Sequence, residues 1–430
     1  MTSPRRIAFA SLVSPLVLAV LTASGPFASA ASVAGVADAW VDLGHALPGS
    51  AGTPVLTGEG SLIGGSNYSL TLSGAAPNSQ AFLVIGQSRL DFPFAGGVVV
   101  PSPDTVLTFG TGATGSATGA GTWTLEAPPG KDEFWQVWIS DPGAPLGWSA
   151  TNALQSTTPT QVGGTFPDDW IYGGDCANDP PIQRHRYNEN TYILRQSMCT
   201  NFEAPFLYLL FGDDKALLLD TGAGGIPIGA TVYAIIDDWL AEHGKSSIEL
   251  IVAHTHGHGD HFQGDGQFAG QPNTTVVGTS QAAVASFFGI APWPTAQVTY
   301  DLGGRVLDVL AIPGHQAAHL AFYDRNTGLL LTGDSLYPGF IFLGASTWNT
   351  FKDSISRLRD FAETVPIAWV LGTHVEMKAT PFEAYPYGTS VQPDERMLRL
   401  ERKHLRELDD ALDLLPTATT EVHADFIING

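Results

Sequence analysis

The sequence predicts an all-β sandwich followed by a larger α/β domain, and two contrasts in texture carry that prediction. From about residue 31 to 160, short β-prone runs alternate with Gly, Ser, Thr and Pro clusters, and Arg89 and Lys131 are the only basic residues. Past a Ser/Thr/Pro/Gly linker near Gln155–Pro167, apolar runs of strand length alternate with helical stretches as far as the C-terminus. The length of 430 residues suits two domains, and a hydrophobic fraction of 44% is enough for a sizeable core.

The first thirty residues have the layout of a secretory signal. Arg5 and Arg6 precede an apolar run from Ile7 to Leu21, and Ala28-Ser29-Ala30 offers a small-x-small cleavage site. The run is short for a membrane span and Pro15 interrupts it. The mature chain is therefore expected to be periplasmic or extracellular after cleavage near Ala30. Export permits a disulfide between Cys176 and Cys199, the only two cysteines.

Composition excludes several classes. Lys and Arg total 20 against 42 Asp and Glu, a formal charge of -22. No basic surplus exists to neutralise nucleic-acid phosphates or to hold an anionic membrane.

In residues 31–160 the expected strands are Tyr68–Leu72, Ala81–Gly86, Gly97–Val100, Thr105–Phe109, Thr122–Leu125 and Phe134–Ser140. Their spacing suggests an antiparallel sandwich of immunoglobulin-like type. In the last run, period-two geometry puts Trp135, Val137 and Ile139 on one face and Phe134 and Trp138 on the other. The first set reads as core. The second is either covered by a neighbour or an aromatic platform for a glycan or envelope surface.

In residues 161–430, Phe206–Phe211 and Ala216–Leu219 read as buried strands. Tyr233–His243 and Asn349–Glu363 have helical spacing. A further helix is expected from Pro393, with Met397, Leu405, Leu408, Leu412 and Leu415 as its apolar stripe.

The chemistry concentrates after the run Ile248–Ala253, in His254-Thr255-His256-Gly257-His258-Gly259-Asp260-His261. In extended backbone, side chains two apart point the same way, so His256 and His258 can grip one ion. A helix beginning near Asp260 would aim Asp260 and His261 at a second position. Three further apolar runs end in a ligand type: Pro313-Gly314-His315, Thr332-Gly333-Asp334 and Gly372-Thr373-His374. Open α/β sheets place their sites beyond such strand ends.

These segments, in this order, resemble the metallo-β-lactamase-fold hydrolase superfamily over roughly residues 182–430. The resemblance implies a four-layer αββα sandwich with metals at one edge of the paired sheets. It implies that His256, His258 and His315 hold a first metal and that Asp260, His261 and His374 hold a second. Asp334 would bridge both, and Asp220, in Leu219-Asp220-Thr221-Gly222, would support the ligand loop without touching metal. His254 and His319 are expected outside the ligand set. Imidazole and carboxylate suit Zn2+, with Fe or Mn as alternatives.

Two divalent ions about 3.5–4 Å apart can share one water and lower its pKa toward neutrality. The expected reaction is attack of a metal-bridging hydroxide, oriented by Asp260, on an ester, thioester or lactone. Asp334 argues against a true β-lactamase, where Cys or Ser generally stands at that step. The pattern is more similar to the glyoxalase II and lactonase types. Tyr337, three residues after Asp334, matches the spacing of a lactonase Tyr that assists the carbonyl oxygen; an aromatic wall residue is the reading favoured over that role, since a buried Tyr commonly just packs and hydrogen-bonds. Phe340, Phe342 and Trp348 read as either cleft or core. The basic and Tyr residues that bind glutathione have no clear counterparts; Lys378 reads as either a contact for a substrate carboxylate or a solvated side chain. Two competing readings are a mononuclear iron persulfide dioxygenase and a metal-holding surface protein without catalysis.

Overall fold

The computed structural model describes residues 39–124 and 130–430. The expected signal segment and Leu125 lie outside the described residues. No described helix is long and apolar enough to cross a membrane.

The C-terminal half is built on two six-stranded sheets. The first runs, in spatial order, Ile182–Asn188, Thr191–Gln196, Phe206–Phe211, Lys215–Leu219, Glu249–Ala253 and Thr274–Val276. The second runs Gln297–Asp301, Val306–Ala311, Leu320–Asp324, Leu329–Gly333, Trp369–Gly372 and Arg399–Leu400. Five helices accompany them: α1 (Ile228–His243), α2 (Gly259–Phe262), α3 (Gln281–Phe288), α4 (Trp348–Ala362) and α5 (Arg402–Leu414).

Period-two side-chain alternation explains the layering. In Phe206–Phe211, Phe206, Tyr208 and Leu210 enter the core between the sheets, while Leu207, Leu209 and Phe211 enter a second core with α1. In the other sheet, Leu329 and Leu331 face inward and Leu330 faces α4 and α5. Both faces of the central strands are thus buried, which is why these runs are apolar without interruption. The helices supply matching stripes: Val232, Ile235, Ile236 and Trp239 on α1, and Phe351, Ile355 and Leu358 on α4. The result is helix, sheet, sheet, helix.

One expected helix is shorter than its pattern. Residues 393–398 are not helical, Met397 is exposed, and α5 begins only at Arg402. The Glu401 backbone N–H donates to His404 Nδ1 at 2.9 Å and stops the helix from extending backward. Leu405, Leu408 and Leu412 are buried as expected.

The described residues between 39 and 157 form β-sheets. One has the order Trp40–Gly44, Ala153–Thr157, Asp132–Ser140, Gln80–Gly86, Thr105–Gly110, with Trp148–Ala150 added beside Asp132–Ser140. A three-stranded sheet of Val55–Glu59, Asn67–Ser73 and Ala117–Thr122 shares its core. The strand expected at Thr122–Leu125 ends at Thr122. The linker expected from Gln155 begins later, because Gln155 pairs with Phe134 inside a strand. Trp135, Val137 and Ile139 enter the shared core. Trp138 packs on the opposite face beneath Phe94, at 5.1 Å between ring centroids, and Phe134 is also buried. Neither ring offers an open platform.

This β-layer is fastened to the rest. Ile63 is buried in the core between the two large sheets. The Val162 N–H donates to the Asn326 carbonyl at 2.8 Å.

Candidate metal centre

Every candidate ligand follows the C-terminal end of a strand. Lys215–Leu219 and Glu249–Ala253 pair in parallel, with Leu219 opposite Ala253, so Asp220 and the His-rich loop emerge side by side. In the other sheet Leu329–Gly333 and Trp369–Gly372 are also parallel, with Gly333 opposite Gly372, so Asp334 and His374 emerge together. Gly333 has φ 53°, and a Cβ there would lie 2.5 Å from His319 Nε2. Only glycine turns the chain so tightly at that point.

Two groups of ligand atoms converge, each within 4.8 Å. The first contains His256, His258, His315 and Asp334; the second contains Asp260, His261, Asp334 and His374. His258 Nδ1 lies 3.0 Å from His256 Nε2 and 3.0 Å from His315 Nε2. Asp334 Oδ2 is 3.6 Å from His256 Nε2 and 3.5 Å from both His261 Nε2 and His315 Nε2. Asp260 Oδ2 reaches His261 Nε2 at 3.1 Å and His374 Nε2 at 3.2 Å. His258 is exposed and His261, His374 and Asp334 are buried, so the centre opens on the His258 side.

The surroundings fix which nitrogen each ring presents. His315 Nδ1 lies 3.0 Å from the Phe342 carbonyl, and His374 Nδ1 lies 2.8 Å from the Glu203 carbonyl. A carbonyl only accepts, so each Nδ1 carries a proton and Nε2 is the nitrogen left facing the centre, where a metal ion would replace any proton on it. His261 Nδ1 donates to Asp220 Oδ2 at 2.9 Å. The other Asp220 oxygen accepts the Thr255 N–H at 2.8 Å, which ties the ligand loop to the neighbouring strand. Thr373 Oγ1 donates to Asp334 Oδ1.

The electrostatics suit a cation. Burial alone would raise the Asp334 pKa, but the fields of His374, His261 and His256 outweigh it and hold the carboxyl well below its ordinary range. Burial and the neighbouring His261 push His256 well below the usual imidazole value, which keeps it neutral. Burial opposes charge on His374, yet Asp334 and Asp260 raise it to about 10. The same carboxylates raise His261 against its burial. Protons thus collect where positive charge is wanted, and a metal ion answers the same field.

The donor set fits a metal on geometry also. Edges of a tetrahedron around a Zn2+ with ligands at 2.0–2.1 Å are about 3.3–3.4 Å long. The nitrogen spacings at His258 are close to that. His261 Nε2 is buried beside the Asp260 and Asp334 carboxylates without a well-aligned hydrogen bond to either, a position that a cation held between them would satisfy.

Other expected residues fall outside the two groups. His319 stacks on His256, with centroids 4.6 Å apart, and His254 Nε2 bonds Asp265 Oδ1 at 2.9 Å. Tyr337 is buried, packs 5.6 Å from the His374 ring, and donates its hydroxyl to the Phe340 carbonyl. That is the wall position; in this structure its hydroxyl is committed to backbone. Trp348 is core, whereas Phe342 is 37% exposed. Lys378 pairs with Glu383 at 3.0 Å. Burial pushes the Glu376 carboxyl up to about 7, and its Oε2 accepts the Phe340 N–H at 3.2 Å. The sequence reading missed Glu203, Thr373 and Thr255 as supports. Thr255 and Thr373 adjoin ligands and were findable; Glu203 acts through its backbone and left no signal.

Cys176 and Cys199 are joined by a disulfide, with Cα atoms 5.4 Å apart.

The model of the metallo-beta-lactamase superfamily matches residues 201–412. A hydroxyacylglutathione hydrolase from Synechococcus sp. (strain JA-3-3Ab) is 34% identical over 134 residues, 31% of this chain and 50% of that protein. One from Chromohalobacter salexigens is 29% identical over 141 residues, 32% of this chain and 50% of that protein. The chain thus spans about half the length of these curated relatives. A metallo-beta-lactamase structure from Pontibacter korlensis aligns at 17% identity and TM-score 0.36, over 54% of this chain and all of that one. Between residues 201 and 412 the chain carries a domain of the metallo-beta-lactamase superfamily, with that superfamily's fold.

Proposed function

We propose that the chain is an exported dinuclear metal-dependent hydrolase that cleaves a carboxylic ester, thioester or lactone. The observation that carries this reading is the membership of Asp334 in both groups of converging ligand atoms. His256, His258 and His315 would hold one ion with Asp334, and Asp260, His261 and His374 the other. Imidazole with carboxylate favours Zn2+, and Fe or Mn accept the same donors. When bound, such a pair lowers the pKa of a shared water and polarises a carbonyl.

The chain's own residues supply order. Asp220, Glu203 and Phe342 hold His261, His374 and His315 with Nε2 directed inward. Asp260 reaches toward His261 and His374 from the single turn of α2. The open side at His258 admits the substrate. The relatives named above are hydroxyacylglutathione hydrolases, which supports a thioester as one substrate class. The disulfide supports an oxidising compartment, hence export. Residues 31–160 are taken as an appended β-domain.

Metal analysis and a panel of ester, thioester and lactone substrates test the reading. Two ions per chain and hydrolytic turnover are expected. His258→Ala should reduce the stoichiometry to one and lower turnover on the order of a hundredfold or more. Unchanged turnover in metal-loaded H258A would overturn the proposal. Sequencing the N-terminus of the secreted protein should begin near Ala31.

A further inference from the structure

Three exposed aromatic rings stand together beside the metal centre, contributed by three separate parts of the chain. Tyr387 meets Phe202 with ring centroids 5.4 Å apart and Phe342 at the same 5.4 Å, both edge to face. Phe202 and Phe342 are each 37% exposed and Tyr387 is 58% exposed. Single exposed aromatics are ordinary, but a contiguous cluster left open to solvent marks a binding surface.

The cluster is tied to both halves of the centre. The Phe342 carbonyl accepts a hydrogen bond from the Nδ1–H of His315, from the first ligand group. The backbone carbonyl of Glu203, next to Phe202, accepts a hydrogen bond from the Nδ1–H of His374, from the second. The Tyr387 hydroxyl donates to the Glu203 carboxylate at 2.8 Å. Phe342 itself sits in a short strand paired in parallel with Ile427–Asn429. The rings are therefore braced, and they flank the ligands on both sides.

We propose that Phe202, Phe342 and Tyr387 form the wall that binds the acyl arm of the substrate, and that this arm is long, apolar and uncharged. The inference rests on the hydrolase reading above and specifies its substrate class. Aromatic faces bury apolar chains well and offer no partner to a carboxylate. Nearby cations are already engaged: Lys378 by Glu383 and Arg396 by Asp425.

Metal-loaded protein should be assayed with p-nitrophenyl acetate, p-nitrophenyl octanoate and the anionic thioester S-lactoylglutathione. The octanoate is expected to exceed the acetate in kcat/KM by about tenfold or more. Tyr387→Ala and Phe342→Ala should each reduce that ratio about threefold, mainly through KM for octanoate. Tyr387→Phe retains the ring and should keep most of the preference. Calorimetric titration with a neutral octyl methyl ketone gives a readout independent of turnover, and both alanine variants should bind it several-fold more weakly.

Turnover with no chain-length preference, or a ratio unchanged in both alanine variants, would overturn the acyl wall while leaving the hydrolase reading intact. Preferred turnover of S-lactoylglutathione would do the same. Ketone binding that needs the rings, with no turnover of any substrate, would sink the hydrolase reading and retain the apolar wall.

Discussion

Asp220 Oδ2 lies 2.9 Å from His261 Nδ1, and neither side chain has any exposure to solvent. The carboxylate sets the tautomer of His261 and so determines that Nε2 is the nitrogen turned toward Asp260 and Asp334. It also holds the ligand loop through the Thr255 N–H and hydroxyl.

Asp220→Asn should therefore weaken metal binding at the His261 group about 10–100-fold. The His256, His258 and His315 group should be affected much less. Stepwise metal titration separates the two, and equal weakening of both would contradict this division of labour.

Gly314 has φ 145°, and a Cβ there would fall 2.4 Å from the Phe351 Cα on α4. The neighbour is backbone, so it cannot move aside cheaply. Gly314→Ala should cost about 1–3 kcal/mol in chemical denaturation and displace the adjacent His315. Loss of one metal equivalent at unchanged secondary structure would report that displacement.

The Cys176–Cys199 bridge braces residues 197–204, the turn that ends at Glu203 and the His374 contact. Replacing both cysteines with serine should cost about 3 kcal/mol and lower the Tm by several degrees. Calorimetry of the variant, and of the native chain under reductant, checks this. An unchanged Tm under conditions where thiol titration finds both sulfurs free would refute it.

Asp425 links α5 to the C-terminal strands. Burial raises its carboxyl pKa, but hydrogen bonds from His404 and Arg396 outweigh this and hold it well below the ordinary carboxylate range. A depressed carboxylate stabilises the fold above its unfolded pKa of about 4, and that contribution is lost as pH falls through the folded value. Asp425→Asn should therefore destabilise by about 1–2 kcal/mol at neutral pH. Its denaturation midpoint should also change less steeply below pH 4 than that of the native chain, a difference visible in a pH series of unfolding curves.

Much of the centre was legible without coordinates because its geometry is local. His256 and His258 need only extended backbone to share a face, and His315, Asp334 and His374 each follow an apolar run of strand length. Helices with a clear apolar stripe were equally readable, and α1 and α4 lie within a few residues of their expected bounds. The pattern alone could not place the start of α5, because Met397 continues a stripe that the His404 contact cuts short.

What the tertiary structure alone decided is which distant groups complete those local motifs. Glu203 reaches His374 across 171 positions of sequence and does so with a carbonyl, a group every residue has. Tyr387 meets Phe202 and Phe342 only because two loops and a short strand converge there. The hydroxyl of Tyr337 turned to the Phe340 carbonyl rather than toward open space. Residue type and spacing record the local preferences of the backbone, so the candidate ligands stood out in the sequence, while their division between two metals came from the family resemblance. The contacts that aim the ligands and shape the pocket come from chain crossings, which no window of sequence contains.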